Sequence, residues 1–313
     1  MRSMKAVRIH GYGAADILSC EEVPYPEPNE DDVVIRVHAT AVNRVDAAIR
    51  AGYMTNWFNL TLPAILGCDV SGTIEEVGSK VTNFKIGDPV YARADVSRNG
   101  TSAQFVAVRA AEVAHKPRSL DHIQAAAVPH TALTAWQCLF DAGNLTSGQT
   151  VLIHGAAGGV GHFAVQFAKW RGAKVIGTAS QRNLDYLRQL GADQVIDYTT
   201  TRFEEVVHDV DMVLDSIGGE TQQRSWATLK PGGILVSIVQ PPSAETAAAH
   251  GVRQQMVGAQ ASAEQLAEIA QIIDAGHIKP TVSTVLLLHE IRQAHTMCEG
   301  GHTRGKIVLQ VVN

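Results

Sequence analysis

The chain has 313 residues, of which 45% are hydrophobic and 18% charged, and its formal net charge is −5. These values predict a soluble two-domain protein, and the acidic charge argues against nucleic acid as a partner. There is no run of eighteen apolar residues, so we expect no membrane span. The N-terminus lacks the apolar centre of a signal peptide, and four scattered cysteines form no CxxC pair. Reduced thiols and a cytoplasmic location are expected.

Short strands separated by glycine, proline and asparagine turns fill the first 120 residues. The predicted strands are Val33–Ala39, Ser71–Val77, Pro89–Arg93 and Phe105–Val108. They predict a mostly β domain that ends near residue 120. A last predicted strand, Gly305–Val312, has no helix after it. We expect this strand to return to the first domain.

A glycine-rich turn opens the second half of the chain. The apolar strand Val151–Ile153 is followed by the letters HGAAGGVG and then by a helix with one apolar face. Such a turn brings the backbone close to a pyrophosphate and presents helix N–H groups to its charge. In the G-x-G-x-x-G pattern the positions are Ala156, Gly158 and Gly161, so alanine replaces the first glycine. The turn predicts a dinucleotide cofactor.

Strands and helices alternate after this turn. The further predicted strands are Lys174–Thr178, Gln194–Tyr198, Asp211–Ile217 and Ile234–Val239. Together with the first strand they predict an α/β, doubly wound parallel sheet of five strands, a Rossmann domain. A loop is expected over residues 241–251.

The residues after the second strand of this sheet indicate which cofactor is bound. Domains selective for NAD place Asp or Glu there to bind the ribose 2′-hydroxyl. This chain instead has Ala179, followed by Ser180 and Arg182. A hydroxyl and a guanidinium suit a 2′-phosphate, which predicts NADPH. The alternative is that both side chains only cap and solvate the next helix.

Several segments spread over nearly the whole chain carry a family pattern. They are Lys5–Val7, Asn43–Asp46, Arg50–Tyr53, Leu66–Gly72, Gly87–Val90, Ala125–Trp136, the glycine turn, Leu190–Ala192 and Gly305–Lys306. Together they resemble the medium-chain dehydrogenase/reductase superfamily, in its zinc-independent quinone oxidoreductase (zeta-crystallin-like) branch. The resemblance implies a GroES-like catalytic domain over residues 1–122 and 280–313, and a Rossmann NADP-binding domain over residues 123–279.

The resemblance also implies a set of cofactor contacts. They are Ser180, Arg182 and Tyr198 at the 2′-phosphate, Ala157, Gly158, Gly159 and Val160 at the pyrophosphate, Ser216 and Ile217 at the ribose, Asn43, Thr134, Ile238 and Val239 at the nicotinamide, and Lys306 as a further contact. Structural alternatives stay open for some of them. Tyr198 could pack its ring, Lys306 could be a solvated cation, and Val160, Ile217 and Val239 are ordinary core types.

The positions that match zinc ligands in related dehydrogenases decide the expected chemistry. Those enzymes place Cys and His-Glu where this chain has Asn43 and Cys68-Asp69. A catalytic zinc takes three protein ligands. Asn43 is not a suitable ligand, and Cys68 and Asp69 alone are too few, so we expect no metal. Without a Lewis acid, alcohol oxidation is disfavoured. Hydride transfer to a quinone or an α,β-unsaturated carbonyl is favoured.

Two protic side chains are candidates for binding the acceptor oxygen. Tyr53 could donate a hydrogen bond and later a proton, although many relatives carry this Tyr where the chain has Met54. The alternative for Tyr53 is an aromatic at the rim of the site, and for Asn43 a turn residue. Trp57 and Phe58 are expected either to wall an apolar acceptor pocket or to belong to the core.

The sequence therefore predicts an NADPH-dependent reductase of quinones or enones. Two alternatives stay open, a one-electron quinone reductase and a nicotinamide-binding protein with a regulatory or crystallin-like role and little turnover. By analogy with the family we expect a homodimer that pairs through the edge of the cofactor-domain sheet, near residues 251–256.

Overall fold

The computed structural model describes residues 2–58 and 60–311, which form two compact units. The first unit contains the residues up to 130, residues 261–276 and the residues from 280 onward. The second unit contains residues 131–260 and 277–279. The chain therefore leaves the first unit, builds the second, and returns.

Strands dominate the first unit before the chain leaves it. Its elements are β1 (Ser3–Ile9), β2 (Ser19–Pro24), β3 (Asp32–Val42), α1 (Arg44–Arg50), β4 (Ala64–Ile65), β5 (Asp69–Val77), β6 (Pro89–Arg93), β7 (Phe105–Arg109), β8 (Val113–His115) and α2 (His122–Ala126). A small sheet has the order β2-β1-β4. The four strands predicted in this region are confirmed as β3, β5, β6 and β7.

The second unit is the predicted Rossmann domain. Its elements are α3 (Pro129–Trp136), which begins at the boundary, β9 (Thr150–Ile153), α4 (Gly159–Trp170), β10 (Lys174–Ala179), α5 (Leu184–Gln189), β11 (Gln194–Asp197), β12 (Val210–Asp215), α6 (Gly219–Ser225), β13 (Leu229–Ser237), α7 (Ala244–Ala249) and β14 (Arg253–Met256). All neighbouring strands are parallel, in the order β11-β10-β9-β12-β13-β14. The order reverses between β9 and β12, which is where such sheets bind dinucleotides.

Two expectations for this sheet were wrong. The expected loop over residues 241–251 contains α7, whose N-cap Ser243 accepts a hydrogen bond from Thr246 N at 3.1 Å. Alanine-rich sequence favours the helix, and the serine cap starts it. The sheet also has six strands where five were expected, and the additional strand is β14. Its sequence RQQM is polar because it forms the exposed edge of the sheet, so it lacks the apolar pattern of a central strand.

The last part of the chain completes the first unit. It contributes α8 (Ala263–Asp274), β15 (Val282–Leu287), α9 (Ile291–Glu299) and β16 (Lys306–Gln310). The larger sheet then has the order β15-β16-β3-β5-β6-β8, with β7 also on β3. Val308 of β16 lies opposite Ala41 of β3, which confirms that the last predicted strand returns to the first domain.

Helix α8 belongs to the first unit by its contacts. The Tyr91 hydroxyl on β6 donates to the Leu266 carbonyl of α8 at 2.6 Å. The compact units thus differ from the domain limits expected from the sequence, which place α8 with the cofactor domain. Those limits remain a prediction about independently folding domains.

Each unit has its own apolar core. In the first unit, β3 and β5 bury a cluster that includes Val33, Ile35, Val70 and Ile74. In the second unit, the central strands pack with Phe203 and Trp226. The four cysteines are free thiols. No helix in residues 2–58 and 60–311 is both long and apolar enough to cross a membrane.

His154 links three elements inside the Rossmann domain. Its ring is 1% exposed, with Nδ1 at 3.1 Å from Thr178 Oγ1 and Nε2 at 2.9 Å from Ser225 Oγ. Burial lowers the pKa of His154 to about 4. The folded protein therefore holds this imidazole neutral at pH values where the unfolded chain protonates it.

Acid should destabilise the protein through His154. Its contribution to stability is fully present above the ordinary pKa of 6.5 and is lost as the pH falls towards 4, with a slope of about 1.4 kcal/mol per pH unit. We expect His154→Gln to reduce the pH dependence of the free energy of unfolding by up to that slope, measured by urea denaturation. His208→Asn, an exposed control in the same domain, should keep the wild-type slope. Equal slopes for wild type and His154→Gln would contradict the assignment.

Candidate active site

The glycine turn after β9 leaves no space for side chains at two positions. Gly155 has φ +62°, and a Cβ there would lie 2.5 Å from Ser216 Oγ. A Cβ on Gly161 would lie 2.4 Å from Gly155 O. The bend is thus made by Gly155. This residue lies one position before Ala156, which the motif alignment had placed at the first glycine. The pattern search missed Gly155 because the motif fixes spacing, not backbone conformation.

Helix α4 begins directly at this turn. Its N-cap is Gly158, and no side chain caps its first N–H groups. Ala157, Gly159 and Val160, predicted to line the pyrophosphate, lie in the same stretch. Uncapped N–H groups at the start of a twelve-residue helix form an anion site. The turn and helix therefore fit a dinucleotide pyrophosphate.

Apolar side chains are exposed after three strands of the sheet, at its carboxyl edge. Tyr198 after β11, Ile217 after β12 and Val239 after β13 are 56%, 55% and 45% exposed. Large apolar side chains in the Rossmann domain are otherwise mostly buried. Exposed apolar groups at the carboxyl edge of a parallel sheet are typical of a binding surface. They are not core residues, which removes that alternative for Ile217 and Val239.

The residues predicted to bind the 2′-phosphate lie together at this edge. Ala179 is paired with Asp197 across β10 and β11, and Tyr198 N donates to Ala179 O at 3.2 Å. Tyr198 is therefore next to Ser180, which starts the turn that carries the exposed Arg182. The nearby Asp197 carboxylate accepts from the N–H and hydroxyl of Thr199 in its own turn.

Asp215 joins the ends of β12 and β13. Its buried carboxylate accepts hydrogen bonds from Ile217 N, Gly218 N, Gln222 Nε2 and Ser237 Oγ, at 2.8–2.9 Å. Ile238 N donates to Asp215 O at 3.1 Å. This network fixes the loop with Ser216 and Ile217 against the strand end that carries Ile238 and Val239. Ser216 itself donates to His154 O at 2.8 Å.

The first unit contains a buried polar cluster of Asn43, Cys68, Asp69 and Lys306. Asn43 is the N-cap of α1, and its Nδ2 lies 2.8 Å from Asp69 Oδ2 and 3.5 Å from Cys68 Sγ. Lys306 Nζ donates to Asn43 Oδ1, to Asp69 Oδ2 at 3.2 Å and to Val42 O at 3.3 Å. Of the three positions that match zinc ligands, Asn43 and Asp69 thus contact the Lys306 ammonium, and Cys68 lies beside Asn43.

Burial controls the protonation of the groups around this cluster. Burial raises the pKa of the Cys68 thiol well above its usual value, so the thiol stays protonated. Burial also raises the pKa of Asp46 to about 7. Asp46 Oδ2 accepts from Asn43 N at 2.8 Å, whereas its Oδ1 is buried and has no hydrogen-bond partner within residues 2–58 and 60–311. The carboxylate of Asp69 instead has three donors, the third being His130 N at 2.6 Å.

The remaining predicted residues lie on elements of different burial. Tyr53 and Trp57 follow α1 and are 83% and 64% exposed, whereas Phe58 packs against the core of the first unit. Thr134 is buried in α3. Sequence analysis did not find the role of Lys306 as a partner of Asn43, because 263 residues separate them.

Family models match both halves of the chain. Residues 29–118 match the "Alcohol dehydrogenase GroES-like domain", and residues 190–309 match "Zinc-binding dehydrogenase". The chain is 35% identical to mouse "NAD(P)H oxidoreductase RTN4IP1, mitochondrial", with 99% of this chain and 89% of the relative covered. It is 34% identical to tomato "2-methylene-furan-3-one reductase", over 99% of this chain and 79% of that protein. The chain belongs to the medium-chain dehydrogenase/reductase superfamily, in its quinone oxidoreductase branch.

Solved structures agree with this assignment. The quinone oxidoreductase of Coxiella burnetii has a TM-score of 0.93 and 34% identity, with 99% of this chain and all of that chain covered. The Escherichia coli quinone oxidoreductase complexed with NADPH has a TM-score of 0.90 and 27% identity, with 98% and 100% covered. The expected family and fold are confirmed, and the chain is an NAD(P)H-dependent oxidoreductase.

The expected cytoplasmic location is wrong by this comparison. The mouse, zebrafish, human and cattle relatives, at 34–35% identity, are all named mitochondrial, as is a fungal relative. The expectation depended on unpaired cysteines and on the absence of an apolar signal. Neither observation distinguishes one reducing compartment from another.

The residues present do not fit the zinc that the second family model's name implies. Cys68 is a protonated thiol, Asn43 is an amide, and Asp69 is already paired with Lys306. A catalytic zinc takes three Cys, His or carboxylate ligands. Within the described ranges, no group of three or more such residues could hold a metal ion.

Gly161 provides a steric test of the cofactor site. We expect Gly161→Ala to weaken NADPH binding by tenfold or more, since its Cβ would push the turn away from α4. Gly258→Ala in the same domain has open space and should bind like wild type. Both dissociation constants can be measured by fluorescence titration. Wild-type affinity in Gly161→Ala would show that the turn does not hold the cofactor.

Proposed function

We propose that the protein is an NADPH-dependent reductase that transfers hydride to a quinone or an α,β-unsaturated carbonyl without a metal. The observation that carries this proposal is the ammonium of Lys306 among the positions that match zinc ligands. A site of this kind lacks the Lewis acid that alcohol oxidation needs. Acceptors that are already electrophilic do not need one.

Ser180, Arg182 and Tyr198 support NADPH as the cofactor. They lie together at the carboxyl ends of β10 and β11, and no acid lies directly after β10. An exposed guanidinium and a hydroxyl can hold a 2′-phosphate by charge-assisted hydrogen bonds. Helix α4 would hold the pyrophosphate, and the loop fixed by Asp215 would orient the nicotinamide half. Once bound, the nicotinamide supplies the hydride.

Asn43 and Tyr53 are the residues we propose for the acceptor oxygen. One Asn43 amide hydrogen makes only long contacts, to Ala41 O at 3.4 Å and Cys68 Sγ at 3.5 Å. This N–H group can donate a hydrogen bond to the acceptor oxygen, on which negative charge develops. The exposed hydroxyl of Tyr53 can deliver a proton to it. The protein then contributes orientation and proton supply.

We propose that the protein is a homodimer that pairs through β14. This strand ends the Rossmann sheet and is paired on one side with β13. An edge strand with unpaired N–H and C=O groups can extend across to a second copy. Met256, 36% exposed, adds an apolar side chain to that edge.

Arg182 tests the choice of cofactor. We expect Arg182→Ala to raise the KM for NADPH roughly tenfold to hundredfold, because a charge-assisted contact to the phosphate is lost. The KM for NADH should not change, since NADH has no 2′-phosphate. Arg188→Ala, which removes an exposed arginine paired with Asp185 on α5, is the control. Equal effects of Arg182→Ala on both cofactors would contradict the assignment.

The reaction itself is tested by following absorbance at 340 nm with a benzoquinone, a naphthoquinone and a small enone. We expect oxidation of NADPH that depends on the acceptor, and a kcat lowered roughly hundredfold in Tyr53→Phe for the enone. Tyr12→Phe, a half-exposed tyrosine in the same domain, should be unaffected. Tight NADPH binding without oxidation by any acceptor would refute the reductase and favour a binding protein.

A further inference from the structure

Lys306 lies at a point where two chain segments supply three oxygen atoms. Its Nζ contacts Val42 O at the end of β3, Asn43 Oδ1 at the start of α1 and Asp69 Oδ2 at the start of β5. The lysine is 3% exposed and Asp69 is fully buried. Three oxygens around one buried nitrogen, two from the adjacent residues Val42 and Asn43 and one from Asp69, form a site for a single small cation.

The Asn43 amide can adopt only one orientation that matches the donors and acceptors around it. An ammonium can only donate hydrogen bonds, and a carboxylate can only accept them. Asn43 Oδ1 must therefore face Lys306, and Nδ2 must face Asp69. Without the ammonium, Oδ1 would lose its donor and the amide could rotate. The lysine thus determines that nitrogen, not oxygen, lies beside Cys68.

Charge makes the lysine necessary as well. Within residues 2–58 and 60–311, Lys306 is the cation paired with Asp69. The side chain of Asp46, which is also buried and accepts from Asn43 N, adds no positive charge. A buried carboxylate that loses its cation is strongly destabilised.

We propose that Lys306 is a positioning residue whose ammonium is the resident cation of this cluster, holding Asn43 for the acceptor oxygen. The sequence suggested Lys306 as a cofactor contact, and the two roles predict different kinetics. A positioning role also predicts that the site, once emptied by truncating the side chain, accepts a small alkylammonium ion. The kinetic part of this inference rests on the proposed reductase function.

The test is chemical rescue of Lys306→Ala by methylammonium. Without amine, we expect the melting temperature to fall by roughly 6 °C or more. The enone kcat should fall roughly tenfold to hundredfold, with little change in the KM for NADPH. Methylammonium should restore both in a saturable way, whereas tetramethylammonium at equal ionic strength should not. Lys306→Met, whose side chain fills the space, should not respond to amines.

Lys230→Ala is the matched control, because Lys230 pairs with Asp211 but is 45% exposed. It should lose little activity and show no amine response. A raised KM for NADPH with unchanged kcat in Lys306→Ala would instead make Lys306 a cofactor contact. Absence of rescue in soluble Lys306→Ala would also overturn the proposal. The melting-temperature arm uses no substrate, so it distinguishes failure of the cation site from failure of the reductase function.

If Lys306→Ala does not fold, the double variant Lys306→Met with Asp69→Asn decides the question. Removing both charges together should restore folding, since no unpaired carboxylate remains. Such a protein should be folded and indifferent to methylammonium. A double variant that also fails to fold would contradict charge neutralisation as the role of Lys306.

Discussion

The first domain depends on the need to neutralise one carboxylate, that of the fully buried Asp69. The cation that does so comes from β16, at the other end of the chain, and the same cation fixes Asn43 at the start of α1. Pairing of β16 with β3 brings the lysine there. The same strand thus joins β15 to the rest of the sheet and supplies the lysine of the cluster.

The second domain depends on a different feature, the backbone N–H groups at the start of α4, which can bind an anion. Gly155 and Gly161 let the chain turn tightly into α4, whose N-cap Gly158 makes no side-chain cap hydrogen bond. The Asp215 carboxylate accepts hydrogen bonds from Ile217 N after β12 and from Ser237 Oγ at the end of β13, and so holds both strand ends in place. Strand order then places the exposed side chains of Tyr198, Ile217 and Val239 along the carboxyl edge of the sheet.

Local patterns predicted most of the fold. Central strands such as β9 and β12 contain a continuous apolar run, VLI and MVL, so they were visible in the sequence. The edge strand β14 and helix α7 were not, because a polar edge and a short alanine-rich helix lack such periodicity. The candidate site was predictable only where residues are close in sequence, as at Ser180 and Arg182. The pairing of Asn43 with Lys306 depends on sheet register, which no local pattern contains.

The central claim is direct hydride transfer from NADPH to an electrophilic acceptor without a metal. The most direct measurement is reduction of an enone with NADPH that carries deuterium at both C4 positions of the nicotinamide, using enzyme treated with a chelator. Direct hydride transfer without a metal predicts full activity after chelation and deuterium on the β-carbon of the product. Loss of activity on chelation, or a product without deuterium, would contradict it.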